Sequence, residues 1–585
     1  MNITGAHALL KMMESAGISQ VFGYPGGCIM PLYDALPDSP IQHYLCRHEQ
    51  ACALAADGYA RASGNIGVAI ATSGPGATNL ITGVANAAMD SVPMLVITGQ
   101  VPAPLIGTDA FQEVDVLGMT FGITKHSYIV TRSEDILRTV GEAISLAQSG
   151  RPGPVWIDIS KDALLGTVKS SSVQTASFEI PALEESSQGI TSFHSSRPVA
   201  LKYHDDGNEK TESQLDLIQQ VKQVIGRSRR PLLYSGGGVS IGKALGEYRN
   251  FREITGIPSV ETLNGLGNAG HDSVGNLGLV GMHGSRAANT AVDECDLLIA
   301  VGARFDDRAT GELDSFAANA TIIHFDIDPS EHNKLKRAEL FLSGQLKHNL
   351  TALSDSSLAQ LDVSVWRNRC LSLHRQHGFR AMKSRKKING PDVLARLNLC
   401  STGAIVSCDV GQHQMWVAQY LDFERPEKHL SSGGLGTMGY GLPAAIGAQV
   451  RFPENTVISV CGDGSFMMNI QELATLKRYD LPVKIIVLDN AHLGMVRQQQ
   501  NLFYQQRYSE TDLDDNPCFS DIARAFGIAG KTIEDSSSVE SGLNWLLAER
   551  GPALLHIVIE RDSGVWPMVP PGAPNTHMLE GNCDV

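Results

Sequence analysis

Two residues carry the clearest chemical signal in the chain: Asp463, in VISVCGDGSFMMN, and Asn490, in KIIVLDN. They are 27 positions apart (490 minus 463), the length of one strand, one crossover helix and the next strand. That spacing can set a carboxylate and an amide carbonyl side by side at the edge of one parallel sheet. Mg2+ takes six hard oxygens and shares its shell with phosphates, so two such side chains with a diphosphate and water suit it. Gly462 and Gly464, next to Ser465, would let main-chain amides approach the anion closely. Alone, Gly-Asp-Gly is a common turn; the asparagine at this distance makes the pair a candidate metal site.

Two further residues read differently alone and in company. Glu49, in CRHEQACALAADGYARASG, opens a helical pattern that runs to Arg61, and by itself it reads as a charge favouring the first turn. Met438, in SSGGLGTMGYGLPAAIG, reads alone as a core methionine, although an unbranched thioether also fills irregular gaps.

The elements that must position these residues alternate between short apolar runs and longer helical patterns, the signature of parallel sheets covered by helices. Predicted strands fall at Ser19–Gly23, Gly67–Thr72, Met94–Thr98 and Pro154–Ile159 in the first third. A second series runs through Pro231–Tyr234, Asp296–Val301 and Thr321–Asp326. The third comprises Ala404–Asp409, Val457–Cys461, Lys484–Asp489 and Leu554–Ile559. The fold class that follows is α/β, with three doubly wound parallel-sheet domains at 1–165, 214–355 and 388–565. Between them, 166–213 is rich in Ser and charge and reads as a linker of poor intrinsic order, 356–387 reads as a second linker, and 566–585 as a tail. Ligand-binding residues in such sheets follow the carboxyl ends of strands.

Composition excludes several classes. The formal net charge of -15, from 47 basic and 62 acidic residues, repels nucleic acid. The 10 cysteines are scattered without metal or redox spacing, Cys46 and Cys52 included, which suits free thiols in a reducing cytoplasm. The start, MNITGAHALLKMMESAG, reads as an amphipathic helix and not as a signal peptide, and no apolar run approaches the ~20 residues needed to span a bilayer.

The stretch GDGSFMMNIQELATLKRYDLPVKIIVLDN resembles the signature of the thiamine-diphosphate-dependent enzymes. The resemblance implies Mg2+ held by Asp463, Asn490 and a main-chain carbonyl near His492, with Asp489 standing where the family more often has asparagine. Val410, Gly411, Gln412 and His413, in CDVGQHQMW, resemble the loop that receives the diphosphate oxygens, and Gly436 joins that set. The resemblance also implies that Glu49 shares a proton with N1′ of the cofactor's aminopyrimidine, a task suited to a buried carboxyl of raised pKa. Met438 would be the wedge that folds the cofactor, and an obligate homodimer or homotetramer would place Glu49 against a neighbouring chain's diphosphate domain.

Across nearly the whole chain outside the first linker, the order of FGYPGG, CRHEQ, ATSGPGATNLITG, GTDAFQEVD, GMHGSRAAN, VGARFDDR, DVGQHQMW and VWPMVPPGA is similar to that of acetohydroxyacid synthases. VGARFDDR marks the biosynthetic, FAD-containing members. In that resemblance Gly27, Gln112 and Lys161 belong to the catalytic set, and Phe111 and Met282 line the entrance and acceptor pocket. Arg308 would grip a ketoacid carboxylate with its planar fork, a function to be set against an ordinary ion pair in a charged loop. FAD would touch Arg151, Gly236, Gly237, Gly238, Thr262, Leu263, His283, Arg304, Asp306, Asp326 and Ile327 in a structural role, and VWPMVPPGA would form a lid that excludes water. Gln345 stands at a flavin position where relatives often have Asp. Gln499 stands where many relatives have Trp, which implies a weak preference for 2-ketobutyrate over pyruvate as acceptor. Family members usually also have a small regulatory subunit, and the alternative reading is a flavin-dependent pyruvate oxidase.

Overall fold

The computed structural model describes residues 2–174, 212–270, 273–355, 358–380 and 387–581. Three six-stranded sheets, each parallel throughout, form three successive units as expected. The first has the strand order Gln42–Leu45, Gln20–Gly23, Gly67–Ala71, Met94–Gln100, Pro154–Ser160, His126–Val130. The third repeats that order: His429–Ser431, Ile405–Cys408, Val457–Gly462, Lys484–Asp489, Ala553–Val558, Ala529–Ile533. In the middle unit the order is Asn276–Leu279, Ser259–Glu261, Pro231–Ser235, Leu297–Val301, Thr321–Asp326, Leu340–Ser343.

In every sheet the chain leaves its first strand toward one edge and returns on the other side, so each has a point where successive connections diverge. In the first sheet the loops at that point are Tyr24–Gly27 and Thr72–Gly74; in the middle sheet they are Gly236–Gly238 and Gly302–Arg304. In the third they are Asp409–Gly411 and Asp463–Ser465. Such divergence opens a crevice at the carboxyl ends of the strands, where a ligand can meet main-chain amides.

The first and third units share a core. Helix Glu49–Ser63 lies along helix Gly441–Arg451, and one cluster of buried side chains includes Leu54, Tyr59, Ala444, Ile446, Phe466 and Leu476. The helices approach closely because Gly58 faces the Ala444 carbonyl and Gly447 faces the Ala55 carbonyl, leaving no room for a Cβ at either glycine. On the first-unit side of this seam, half-buried Arg61 pairs with Asp57 at 2.6 Å and Asp90 at 2.7 Å, and across it Tyr440 donates to Asp57 at 2.9 Å. Asp90 also accepts from Asn264 of the middle unit at 3.0 Å and from Gly433 N–H of the third at 2.9 Å, which joins all three units at one carboxylate.

Two expectations need correction. The 356–387 stretch is not a plain linker: it holds helix Ser364–His377, whose Trp366, Cys370 and Leu373 enter the middle core, with Trp366 donating to the Pro231 carbonyl at 2.9 Å. The charge of that helix obscured its three buried positions. The first unit also runs past Leu165, because Thr167–Lys169 pairs antiparallel with Asn2–Thr4. Of the Ser-rich stretch expected as a linker, 175–211 lies outside the described residues.

Candidate active site

The third sheet delivers Asp463 and Asn490 as the spacing predicts. Strands Val457–Gly462 and Lys484–Asp489 are adjacent, with Gly462 opposite Leu488, so the two loops leave the sheet side by side. They form one wall of a cleft lined by Val410, Gly411, Gln412, His413, Met438, Gly462, Asp463, Gly464, Ser465, Asn490 and His492, with Trp416, Leu493, Met495 and Val496.

The polar groups around this cleft are held in place. Asn490 Nδ2 donates to Gln412 Oε1 at 3.2 Å, and Asn490 Oδ1 receives His492 N–H at 3.2 Å. Gln412 is anchored in turn by donating to Gln498 Oε1 at 3.0 Å and the Ser563 carbonyl at 2.9 Å. Asp463 accepts from Asn516 Nδ2 at 2.8 Å. Burial and the neighbouring Asp489 push the Asp463 carboxyl well above the usual carboxylate range. Asp489 moves the other way: burial opposes its charge, but hydrogen bonds from His556, at 2.8 Å, and from Ala491 N–H hold it below the usual carboxylate range. His413 is fully buried, and burial pushes its pKa down to about 3. It is therefore neutral, and its Nε2 accepts from Gly462 N–H at 3.2 Å, which places the ring proton on Nδ1. Gly411, at φ 156°, cannot carry a side chain, since a Cβ would sit 2.7 Å from the His413 ring.

Asp409 is a site residue that the sequence reading passed over. It is buried at the end of Ile405–Cys408 and accepts three main-chain N–H groups: Val410 and Gly439 at 2.8 Å each, and Gly441 at 2.9 Å. One carboxylate thus ties the Val410–Gly411 turn to the loop carrying Met438. Burial still pushes its pKa up to about 6. Asn469 holds the same loop from outside by donating to the Gly439 carbonyl at 2.7 Å. The available signal was an acidic residue closing an apolar strand before a glycine. Asn516 gave none, because it joins Asp463 across 53 residues of chain.

This arrangement fits a divalent cation and a diphosphate. No group of three or more His, Cys, Asp or Glu side chains suited to a metal occurs among the described residues, so an ion here needs carbonyl and ligand oxygens beside Asp463. The cleft offers an oriented amide oxygen, a carboxyl whose ionisation a cation would favour, and a glycine floor for phosphate oxygens.

The expected residues of the first unit lie elsewhere. Glu49 is half-buried at the start of its helix, where its Oε2 accepts from Asn79 at 2.9 Å. Gln112, at φ 62°, packs against Gly74; Phe111 is 87% exposed; Gly27 has open space around it; Lys161 opens helix Lys161–Leu165. None of the five lines the Asp463 cleft of its own chain. Gly436, at φ 71°, sits two residues before Met438 outside that lining, and Gln499 is exposed one turn beyond Met495 and Val496.

In the middle unit the expected flavin residues gather at the carboxyl ends of one sheet. Gly236, Gly237 and Gly238 follow Pro231–Ser235, Thr262 and Leu263 follow Ser259–Glu261, Arg304 and Asp306 follow Leu297–Val301, and Ile327 follows Thr321–Asp326, which ends in Asp326. Burial pushes the Asp326 carboxyl up to about 6. His283 is half-buried, and its buried Nδ1 has no hydrogen-bond partner among the described residues, as a polar atom facing a bound group would. Asp306 caps helix Asp307–Thr310, and Arg151 bridges to Asp328 at 3.3 Å and Glu331 at 3.2 Å. Arg308 and Met282 do meet: Arg308 Nη1 lies 3.5 Å from Met282 Sδ, and Met282 N–H donates to the Arg308 carbonyl at 2.8 Å. The tail packs on this pair, with Val569 N–H donating to Met282 O and Asn575 donating to Ala309 O at 2.8 Å each.

Three such sheets with a glycine-floored anion cleft in the last define a thiamine pyrophosphate enzyme, and family models match in the same order. The N-terminal TPP binding domain matches residues 3–119, the central domain 218–353 and the C-terminal TPP binding domain 409–557. The chain is similar to the acetolactate synthase isozyme 2 large subunit of Escherichia coli, 49% identical over 580 residues, covering 99% of this chain and 100% of the relative. An acetolactate synthase large subunit from Parasynechococcus marenigrum is 44% identical over 99% of this chain and 91% of the relative. A probable one from Methanocaldococcus jannaschii is 43% identical over 98% and 95%. The chain belongs to the acetolactate synthase large-subunit family. Among the described residues no helix is long and apolar enough to cross a membrane.

Proposed function

We propose that this chain catalyses acetolactate synthesis: it decarboxylates pyruvate and joins the two-carbon remainder to a second pyruvate, or to 2-ketobutyrate. The observation that carries this reading is the third-unit cleft, where Asp463 and an oriented Asn490 face a glycine floor. When bound, thiamine diphosphate would supply the nucleophilic carbon and the electron sink that ketoacid decarboxylation needs.

The chain's own residues divide the remaining work. Asp463, Asn490 and the main-chain carbonyl of His492 hold Mg2+, and Val410, Gly411, Gln412, His413, Gly464 and Ser465 receive the diphosphate. Met438 supports the rings from below, with Gly436 freeing the turn before it. Glu49 holds the proton at the pyrimidine nitrogen, and Gly27, Gln112 and Lys161 complete that side. Phe111, Met282, Arg308 and Gln499 face the acceptor, with the Arg308 guanidinium matched to a carboxylate in a pocket the tail helps to close. FAD would be held at the carboxyl ends of the middle sheet by Arg151, Gly236, Gly237, Gly238, Thr262, Leu263, His283, Arg304, Asp306, Asp326 and Ile327, and the unpartnered His283 Nδ1 supports that reading.

Because the first-unit residues do not reach the cleft of their own chain, the working enzyme is a homodimer or homotetramer with sites between chains. Exposed apolar side chains beside those residues, Phe111, Leu117 and Phe121, suit burial against a second copy. A small regulatory subunit matches the "large subunit" naming of the relatives.

An acetoin colour assay of the purified protein with pyruvate tests the reading. Colour that requires both thiamine diphosphate and Mg2+, with the flavin absorbance unchanged, is expected. Bleaching of the flavin by pyruvate without oxygen would assign an oxidase instead.

A further inference from the structure

Strand Gln42–Leu45 is an edge of the first sheet and pairs only with Gln20–Gly23, so its outer main-chain groups need other partners. Side chains of the third unit supply them. Tyr479 Oη receives Leu45 N–H at 2.8 Å and lies 3.4 Å from the His43 carbonyl; Thr475 Oγ1 lies 3.3 Å from the Leu45 carbonyl. Beyond the strand, Glu472 Oε1 accepts Arg47 N–H at 2.9 Å, and Glu472 Oε2 is 2.6 Å from Thr475 Oγ1. Positions 472, 475 and 479 fall on one face of the turn and helix that end at Tyr479, so a single surface closes the edge.

Glu472 is fully buried, an expensive place for a carboxylate unless its hydrogen bonds matter. Burial pushes its pKa up to about 7. What it holds is the Arg47–His48 turn, and the next residue is Glu49, the first of its helix. Glu472 itself stands nine residues after Asp463 (472 minus 463), in the turn that follows helix Asp463–Met467. One short segment therefore carries the metal anchor at one end and, at the other, the contact that aims Glu49.

We propose that Glu472, oriented by Thr475, is a positioning residue for Glu49: it fixes the Arg47–His48 turn, and thereby the depth and direction at which Glu49 is presented. The proposal rests on the reading of Glu49 as the pyrimidine's proton partner. It also follows that the metal anchor of one site and the acid serving another are mechanically joined within each chain.

The test uses the full-length protein, with Glu472→Ala, Glu472→Gln, Thr475→Val and Glu49→Gln prepared in parallel. Backbone hydrogen exchange of peptides spanning residues 42–52 is followed without cofactor; kcat and the pyruvate KM are measured on protein loaded with thiamine diphosphate, Mg2+ and FAD. Glu472→Ala is expected to speed exchange in that segment and to lower kcat by about 10- to 100-fold, as a misplaced catalytic group does, with KM changed less than about threefold. Glu472→Gln keeps an oxygen for Arg47 N–H and should restore protection and most of kcat; Thr475→Val should give the alanine pattern in milder form. Unchanged exchange in Glu472→Ala, or wild-type kcat in it beside an inactive Glu49→Gln, overturns the proposal alone. If Glu472→Ala does not fold, wild-type exchange and kcat in Thr475→Val overturn it. Wild-type turnover of Glu49→Gln would overturn the reading of Glu49, and the proposal with it.

Discussion

The first and third units share one strand order and use it in opposite ways. In the third, the divergence point is finished within the chain: Asp409 clamps two loops, a relay from Gln498 through Gln412 orients Asn490, and Asn516 steadies Asp463. In the first, the corresponding residues are open, with Phe111 87% exposed, the buried Ser73 hydroxyl without a partner among the described residues, and Glu49 held by one asparagine. The difference teaches how one scaffold divides a task. A charged tail needs a rigid, prepaid set of dipoles, whereas an acid group can be offered from an edge and completed by another surface.

The largest effect that would sharpen this contrast is loss of the anchor. Asp463→Ala should lower turnover by at least on the order of 10²–10³-fold at saturating thiamine diphosphate and Mg2+, read in the acetoin assay. A loss under tenfold would place the anion elsewhere.

Next comes a carboxyl in the first unit that serves the core and not the site. Asp158 is buried between Thr98, at 2.6 Å, and Gln100, at 2.9 Å, and burial pushes its pKa from 3.8 up to about 6. Between those values the folded chain binds more protons than the unfolded one, so this group's contribution to stability falls as pH rises from about 4 to 6. Asp158→Asn removes that titration, so its stability relative to wild type should improve by roughly 2 kcal/mol between pH 4 and 7. Thermal unfolding at both pH values measures it, and a pH-independent difference would show that Asp158 ionises freely.

The seam between the two units offers a third break. Gly447→Val adds atoms where the Ala55 carbonyl already stands, and overpacking of that kind costs about 1–3 kcal/mol, visible in thermal unfolding. An unchanged midpoint would mean that the two helices can part freely. The smallest effect concerns acceptor choice. Gln499→Trp should raise the preference for 2-ketobutyrate over pyruvate by a factor of ten or more, the scale of about 1–3 kcal/mol per methylene contact, in competition kinetics.

The longer strands buried on both faces were legible in the sequence; the edge strands and one short inner strand were not. Thr321–Asp326 and Lys484–Asp489 were placed to the residue, because a strand covered by helices on both sides must be a continuous apolar run. The edge strands Gln42–Leu45, His126–Val130, Asn276–Leu279, Leu340–Ser343, His429–Ser431 and Ala529–Ile533 were missed, each being short and containing polar residues, and so was Ser259–Glu261, a buried inner strand of only three residues with polar ends. The site divides likewise. Asp463 and Asn490 were legible because each directly follows one of two adjacent strands, 27 residues apart. Asp409 had a local signal that went unused, whereas Asn516 and Glu472 owe their importance to partners far along the chain, 53 residues away for Asn516 and 425 for Glu472, and no local pattern records such contacts.

The account turns on the cofactor's tail being clamped by one chain while its head is met by Glu49 of another. Glu49→Gln and Asp463→Ala, each inactive alone, can be mixed under conditions where chains exchange, and acetolactate formation followed. Recovery of turnover in the mixture is the predicted result, since some mixed sites would combine an intact Glu49 with an intact Asp463. A mixture that has demonstrably exchanged chains and stays inactive would contradict the account.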